Sequence, residues 1–193
     1  RAQPGLPCDQ GGQIRPFAVM RAAMVLTPRG LWFRGRVLPC TIGRGGVQSH
    51  KREGDGATPR GRHQITGLLY RADRLARPTP WARKIGLRDL WSDDPGDPDY
   101  NMPVRAPHPF GHERLRRADP LYDLVLLTDW NTDPALPSFG SAIFVHQWRR
   151  PGYPTEGCIA LSRRDILWVA RRAAPGTPLM RRVQSTSFSC GSL

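Results

Sequence analysis

No apolar run in this chain goes far before a glycine, a proline or a charge cuts it. The longest lie around Met24, Leu124, Ile143 and Ile166, and each is only a few residues long. Glycine and proline contribute 20 residues each to a chain of 193, about a fifth of it, against a usual share of roughly an eighth. Interruptions this frequent exclude a long helical bundle or a coiled coil. They also leave nothing near the ~20 consecutive apolar residues of a membrane-spanning helix. What remains is a chain of short strands and many turns. Its length suggests one domain, large enough to hold a core without disulfides.

From Met24 the turn spacing becomes regular. Met24-Val25-Leu26, Leu31-Trp32-Phe33 and Arg36-Val37-Leu38 read as short strands joined by tight turns, and Gly43-Arg44-Gly45-Gly46 closes that meander. Residues 53–59 are turn chemistry throughout, and His63-Gln64-Ile65 opens another extended piece. Residues 73–118 hold many Pro, Asp and Arg with little periodicity, which predicts a long irregular region of the functional or mobile kind. Buried strands are expected at 121–128, at 141–146 and, shorter, at 158–161. Ser162 with Asp165 three residues later resembles a capping box. Ile166, Leu167, Val169, Ala170 and Ala173 follow at helical spacing, and Pro175-Gly176 stops the helix. The fold class this predicts is mainly β, with two packed sheets and one helix in the C-terminal half. Residues 1–23 and 181–193 read as loose tails around a domain at 24–180.

The chain carries 29 basic and 16 acidic residues, a net charge of +13, and its only lysines are Lys51 and Lys84. A balance this basic favours polyanions such as nucleic acid, anionic lipid surfaces or anionic wall polymers. The basic residues are spread along the chain in no single block, so the charge names no partner and nucleic acid is the less favoured one. Of four cysteines, Cys8 and Cys190 fall in the expected tails and Cys40 sits in an apolar run like a core thiol. An even number permits two disulfides, and no C-x-x-C spacing suggests a metal. His108 and His112 are spaced for a helical metal pair, but Pro109 and Gly111 argue against a helix there. No metal and no organic cofactor is expected. The apolar run at 17–20, cut by Arg21, is too short for a signal-peptide core.

The strongest chemical signal is His146 with Cys158. A buried strand ends in His146, a turn-rich loop follows from Gln147 to Glu156, and Gly157-Cys158 enters a new strand. Adjacent strand ends can bring thiol and imidazole together. Thiolate catalysis needs that pair, together with a glycine whose surroundings let backbone amides reach the reacting carbonyl. An imidazolium beside a thiol lowers the thiol pKa, and Arg149 and Arg150 add positive potential. The plainer alternative is a small core cysteine and a strand-end histidine with no joint role.

The segment Gly140-Ser141-Ala142-Ile143-Phe144-Val145-His146, followed by Pro154-Thr155-Glu156-Gly157-Cys158-Ile159-Ala160-Leu161, resembles the active-site signature of the L,D-transpeptidase catalytic domain (the YkuD-type fold). That signature has a strand-end His, a loop, then Ser/Thr-His-Gly-Cys and an apolar residue. Residues 43–61, with Thr58-Pro59-Arg60-Gly61, resemble the early Thr-Pro-x-Gly turn of the same family. Here Glu156 stands where the common pattern has a second His, Gln147 replaces a small residue, and the loop is shorter, which marks a divergent branch.

The resemblance implies a sandwich of two packed mixed β-sheets with one helix after the nucleophile strand. Cys158 would be the nucleophile, attacking the amide between a third-position diamino acid and D-Ala of a peptidoglycan stem to form a thioester. His146 would be the general base, and the backbone at Gly157-Cys158 the oxyanion hole. Glu156, Thr155, Arg149 and Tyr153 would bind substrate, Arg150 could assist, and Thr58 and Gly61 would be structural turn residues. The implied partner is the peptidoglycan stem peptide, and the implied location is the cell envelope or periplasm. Hydrolysis of the same thioester, as an amidase or L,D-carboxypeptidase, is the first alternative. A non-catalytic basic module that binds wall polymer or nucleic acid is the second.

Overall fold

The computed structural model describes residues 23–181. The expected tails therefore lie almost wholly outside the described residues, with Cys8 and Cys190. The first three strands are β1 (Met24–Thr27), β2 (Gly30–Phe33) and β3 (Arg36–Leu38), the antiparallel meander that the turn spacing predicts. There follow β4 (Cys40–Thr41), β5 (Val47–Gln48), β6 (Thr58–Pro59), the long β7 (Gly61–Tyr70) and β8 (Arg83–Lys84). Strands β9 (Asp89–Ser92), β10 (Pro103–Arg105) and β11 (His112–Arg114) come next, then β12 (Leu124–Thr128), β13 (Val145–Gln147) and β14 (Ile159–Leu161). Helix α1 (Arg163–Ala170) and β15 (Pro178–Arg181) complete the described chain.

Ten strands form one mixed sheet in the order β3-β2-β1-β15-β7-β12-β13-β14-β4, with β8 added alongside β7. Its two edge strands, β3 and β4, are separated in the chain by Pro39 alone. The sheet therefore curls until its ends nearly meet, and the expected β layers belong to one sheet wound nearly into a barrel. Two small sheets accompany it, β10-β9-β11 and β5-β6.

Strand β12 runs through the centre. Leu124 and Leu126 point into one apolar cluster with Phe33, Leu31, Ile65, Leu68 and Leu161, while Val125 points into a second with Trp91, Tyr122, Phe144 and Cys158. A strand buried on both faces reads as a continuous apolar run, as this one does. Helix α1 closes the first cluster with Ile166, Val169 and Ala170. Its cap is the expected one, Ser162 Oγ accepting from the Asp165 N–H at 3.1 Å. The helix ends at Ala170, before the expected stop, because Arg172 and Ala173 both donate to the Val169 carbonyl and close the last turn.

Two expectations need correction. The region at 73–118 is not simply irregular. It holds the three-stranded sheet β10-β9-β11, whose strands of three or four residues are too short to show periodicity. This sheet is pinned to the main one by Trp91, edge-on to Phe144 with centroids 4.9 Å apart. Buried Asn101 joins the two, its Oδ1 accepting from Trp91 Nε1 and from the Ala142 amide. Nor is 141–146 a strand throughout, because β13 begins only at Val145. Gly140 and Ala142 have φ of 96° and 50°, which takes the backbone out of extended geometry just before the strand.

Candidate active site

Strands β13 and β14 are parallel neighbours, with Val145 opposite Ile159 and His146 opposite Ala160. One step earlier, the Phe144 amide donates to Cys158 Sγ at 3.3 Å. Alternate residues of a strand share a face, so register places the Cys158 and His146 side chains on the same face. Both line one cleft of about 350 Å³, together with Tyr122, Ser141, Ala142 and Thr155. They are 8% and 6% exposed, buried but open to that cleft.

The sulfur is held on both sides. It accepts from the Phe144 N–H and donates to the Ala142 carbonyl at 3.1 Å. An N–H aimed at sulfur favours the thiolate, while the carbonyl holds the resting proton. The irregular backbone at 140–144 thus has a use, since it aims Ala142 O at the thiol. His146 Nδ1 lies 2.7 Å from the Gln147 carbonyl. In a neutral ring that contact is made by Nδ1–H, which leaves Nε2 as the basic nitrogen. Burial, as the main cause, pushes His146 down to about 4, so the ring is neutral near pH 7. Tyr122 stands edge-on to it, with centroids 5.2 Å apart.

The nucleophile turn is clamped from behind. Gly157 has φ of +140°, and a Cβ there would lie 2.8 Å from the Ala57 carbonyl oxygen and 2.9 Å from Ile143 Cδ1. Only glycine fits. Fully buried Thr58, in β6, donates to the Gly157 carbonyl at 2.7 Å and accepts from the Gly43 amide at 2.9 Å. Thr155 Oγ1 donates to the Cys158 carbonyl at 2.6 Å and accepts from the Gly157 amide at 3.2 Å. Lys51, buried in a mainly arginine protein, bonds Asp55 at 2.5 Å, and Asp55 in turn accepts from the Ala57 amide. The string 51–58 therefore folds as a clasp behind Gly157.

The sequence model of the L,D-transpeptidase catalytic domain (YkuD) matches residues 24–180, most of the chain. The chain belongs to the L,D-transpeptidase catalytic-domain family. Members of this family are cysteine enzymes, and the family acts on peptidoglycan. Among solved structures, the L,D-transpeptidase from Mycobacterium smegmatis is similar at 17% identity, over 83% of this chain and 58% of that one, with a TM-score of 0.41. This chain thus spans little more than half the length of that protein. No curated protein matches it.

The other residues singled out in this L,D-transpeptidase domain fall around the same cleft. Thr155 and Glu156 line it, the Thr155 hydroxyl engaged within the turn and Glu156 paired with Arg44 at 2.8 Å on an exposed rim. Arg149 and Tyr153 also line it. Arg149 and Arg150 lie over the Tyr153 ring at 5.0 and 5.2 Å, a cation–π stack at the mouth. Gly157 stands behind the lining, and its amide goes to Thr155. Cys40 is half-buried beside the core, and burial pushes its thiol up to about 11. His108 and His112 are held by Asp97 and the Phe110 carbonyl. Among the described residues no group of three or more His, Cys, Asp or Glu side chains could hold a metal ion, and no helix is long and apolar enough to cross a membrane.

Sequence reasoning missed the opposite chemistry of the cleft. Glu53, Asp93, Glu113 and Tyr122 line it too. Glu53 lies in a charged string whose one buried lysine was the only available signal. Asp93 and Glu113 come from the small sheet, which left no periodic trace.

Proposed function

We propose that this protein is a cysteine acyl transferase acting on peptidoglycan stem peptides, an L,D-transpeptidase of the cell envelope. The observation that carries the reading is the single cleft lined by both Cys158 and a neutral, tautomer-fixed His146. Nε2 of His146 takes the proton of the Cys158 thiol as the sulfur attacks the carbonyl of the third residue of the stem. With the Gly157 amide taken by Thr155, the oxyanion donor in this reading is the backbone amide of Cys158 itself. The tetrahedral adduct collapses and its C–N bond breaks. His146 returns the proton to the leaving amine, and D-alanine departs from a Cys158 thioester. An acceptor amine then attacks the thioester, gives its proton to His146, and leaves as the new amide while the thiol re-forms. Gln147 O keeps the ring in the useful tautomer through both halves. Arg149 with Tyr153 at the mouth, and Glu156 on the rim, contact the stem.

Digestion of purified sacculi separates this reading from its rivals. New cross-links between third-position residues are the expected result. Shortened stems without cross-links mean hydrolysis of the same thioester, and no product means a binding module.

A further inference from the structure

In this chain of net charge +13, five acidic side chains among the described residues pair with lysine or arginine. Asp55 has Lys51, Asp73 has Arg71 and Arg116, Asp119 has Arg117, Asp123 has Arg74 and Arg163, and Glu156 has Arg44. One wall of the cleft is acidic and carries no such pair. Glu53, Asp93 and Glu113 line it together, and among the described residues none of them forms an ion pair. Neutral hydroxyls hold two of the three instead. Glu53 Oε2 accepts from Tyr100 at 2.5 Å and from Ser141 at 3.0 Å, and Glu113 Oε2 accepts from Tyr122 at 2.7 Å. Hydroxyls orient a carboxylate without neutralising it. The arginines of the cleft are engaged elsewhere: Arg117 makes a two-pronged contact with Asp119, and Arg149 lies over Tyr153. Burial first, and then the charges of their neighbours, push Asp93 and Glu113 up, so a cation beside them would favour their ionised forms.

A second observation points to a ligand. His146, 6% exposed, lines the same cleft. Its Nδ1 is taken by the Gln147 carbonyl, and its Nε2 has no hydrogen-bond partner among the described residues. A buried basic nitrogen left open toward a cleft that also holds a thiol marks a place where a polar molecule docks. The wall says what charge that molecule brings. The three carboxylates are not drawn together enough to cage a metal ion. A primary ammonium, with three donors to distribute among separate acceptors, suits them better. Leu121 and Ile143 offer apolar surface for the methylenes that carry it.

We propose that Glu53, Asp93 and Glu113 bind a primary ammonium group of the peptide substrate beside Cys158, so that the enzyme selects amine-bearing stems over neutral ones. This deepens the acyl-transfer reading and rests on it. The ammonium belongs either to the side chain of the acyl donor or to the acceptor peptide.

The test uses a tetrapeptide with lysine at position three and a C-terminal D-alanine, and its Nε-acetyl derivative. Calorimetry with the Cys158→Ala protein should show the free amine binding about tenfold or more tightly than the acetylated peptide, as expected for lost charge-assisted hydrogen bonds. Asp93→Asn and Glu113→Gln, each added to Cys158→Ala, should shrink that ratio severalfold. Equal binding of the two peptides, a ratio that persists in both variants, or competition by millimolar magnesium or calcium in place of discrimination would overturn the proposal. Intact-mass measurement of the thioester on the protein with Cys158 present then locates the group. Discrimination in thioester formation places the ammonium on the donor, and discrimination only in the transfer step places it on the acceptor. If neither peptide ever forms a thioester yet binding still discriminates, the acyl-transfer reading fails and the ammonium site stands. If both peptides acylate and bind equally, the wall proposal fails and the reading stands.

Discussion

Thr58 donates its hydroxyl to the carbonyl of Gly157 at 2.7 Å, across 99 positions of sequence. Through the same oxygen it accepts from the Gly43 amide at 2.9 Å. Three loops that are distant in the chain therefore meet at one buried hydroxyl, directly behind Cys158. The precision of the nucleophile turn depends on this contact, because Gly157 has nothing but backbone with which to hold its place.

Thr58→Val keeps the volume of the side chain and removes the hydroxyl. It leaves a buried N–H and a buried C=O without their partner, which costs about 2–6 kcal/mol in all at roughly 1–3 kcal/mol per group. Urea unfolding should show a lower midpoint at unchanged slope, and the alkylation rate of Cys158 should change as the turn loosens. Thr58→Ser should stay within about 1 kcal/mol of the parent. A Thr58→Val protein of parental stability would remove the buttress from the account.

Gly157→Ala tests the clash directly. The new Cβ would sit 2.8 Å from a backbone oxygen at φ of +140°, and the strain of such a backbone alone is about 1–3 kcal/mol. Acylation of Cys158 should fall at least tenfold, with a clear loss of thermal stability. Gly152→Ala is the control. It also has positive φ, +73°, but nothing lies within 4 Å of its Cβ, so it should cost only about 1–2 kcal/mol and leave acylation nearly intact.

The buried imidazole gives a pH signature with a definite sign. Unfolded, His146 takes up its proton below about 6.5; folded, burial delays uptake until about 4. Between those values the unfolded chain binds more protons, so stability is retained above 6.5 and lost as the pH falls toward 4. The loss attributable to this residue is about 3 kcal/mol. Denaturant midpoints at pH 7 and pH 4.5 should therefore converge in a His146→Gln protein relative to the parent. Acylation should also lack a drop centred on 6.5. Identical pH slopes in the two proteins would contradict the buried neutral ring.

The barrel-like sheet was legible because its strands carry their own punctuation. The meander ending at Leu38 and the doubly buried β12 can be read from turn residues and apolar runs alone. The pairing of His146 with Cys158 was legible because the strands that bear them are neighbours in both sequence and space. The other half of the cleft was not. Glu53, Asp93 and Glu113 are brought together by Trp91 packing on Phe144 and by Asn101 bridging to Ala142, contacts between distant segments that leave no period in the chain. The early start assigned to β13 failed for a related reason. Ser141 to Phe144 has strand composition, but φ of 50° at Ala142 serves the thiol and not the sheet. Thr58 could be read as a turn residue, while its bond to Gly157 could not.

The central claim is that Cys158 carries the acyl group, and acylation followed by peptide mapping tests it most directly. Incubation with a carbapenem-type β-lactam, or with a D-alanine-terminated stem tetrapeptide, should add one acyl mass located at Cys158. Cys40, its thiol held un-ionised by burial at neutral pH, should stay unmodified, and Cys158→Ala should abolish the adduct. Absence of any adduct under conditions that acylate related enzymes, or an adduct that survives in Cys158→Ala, would contradict the account.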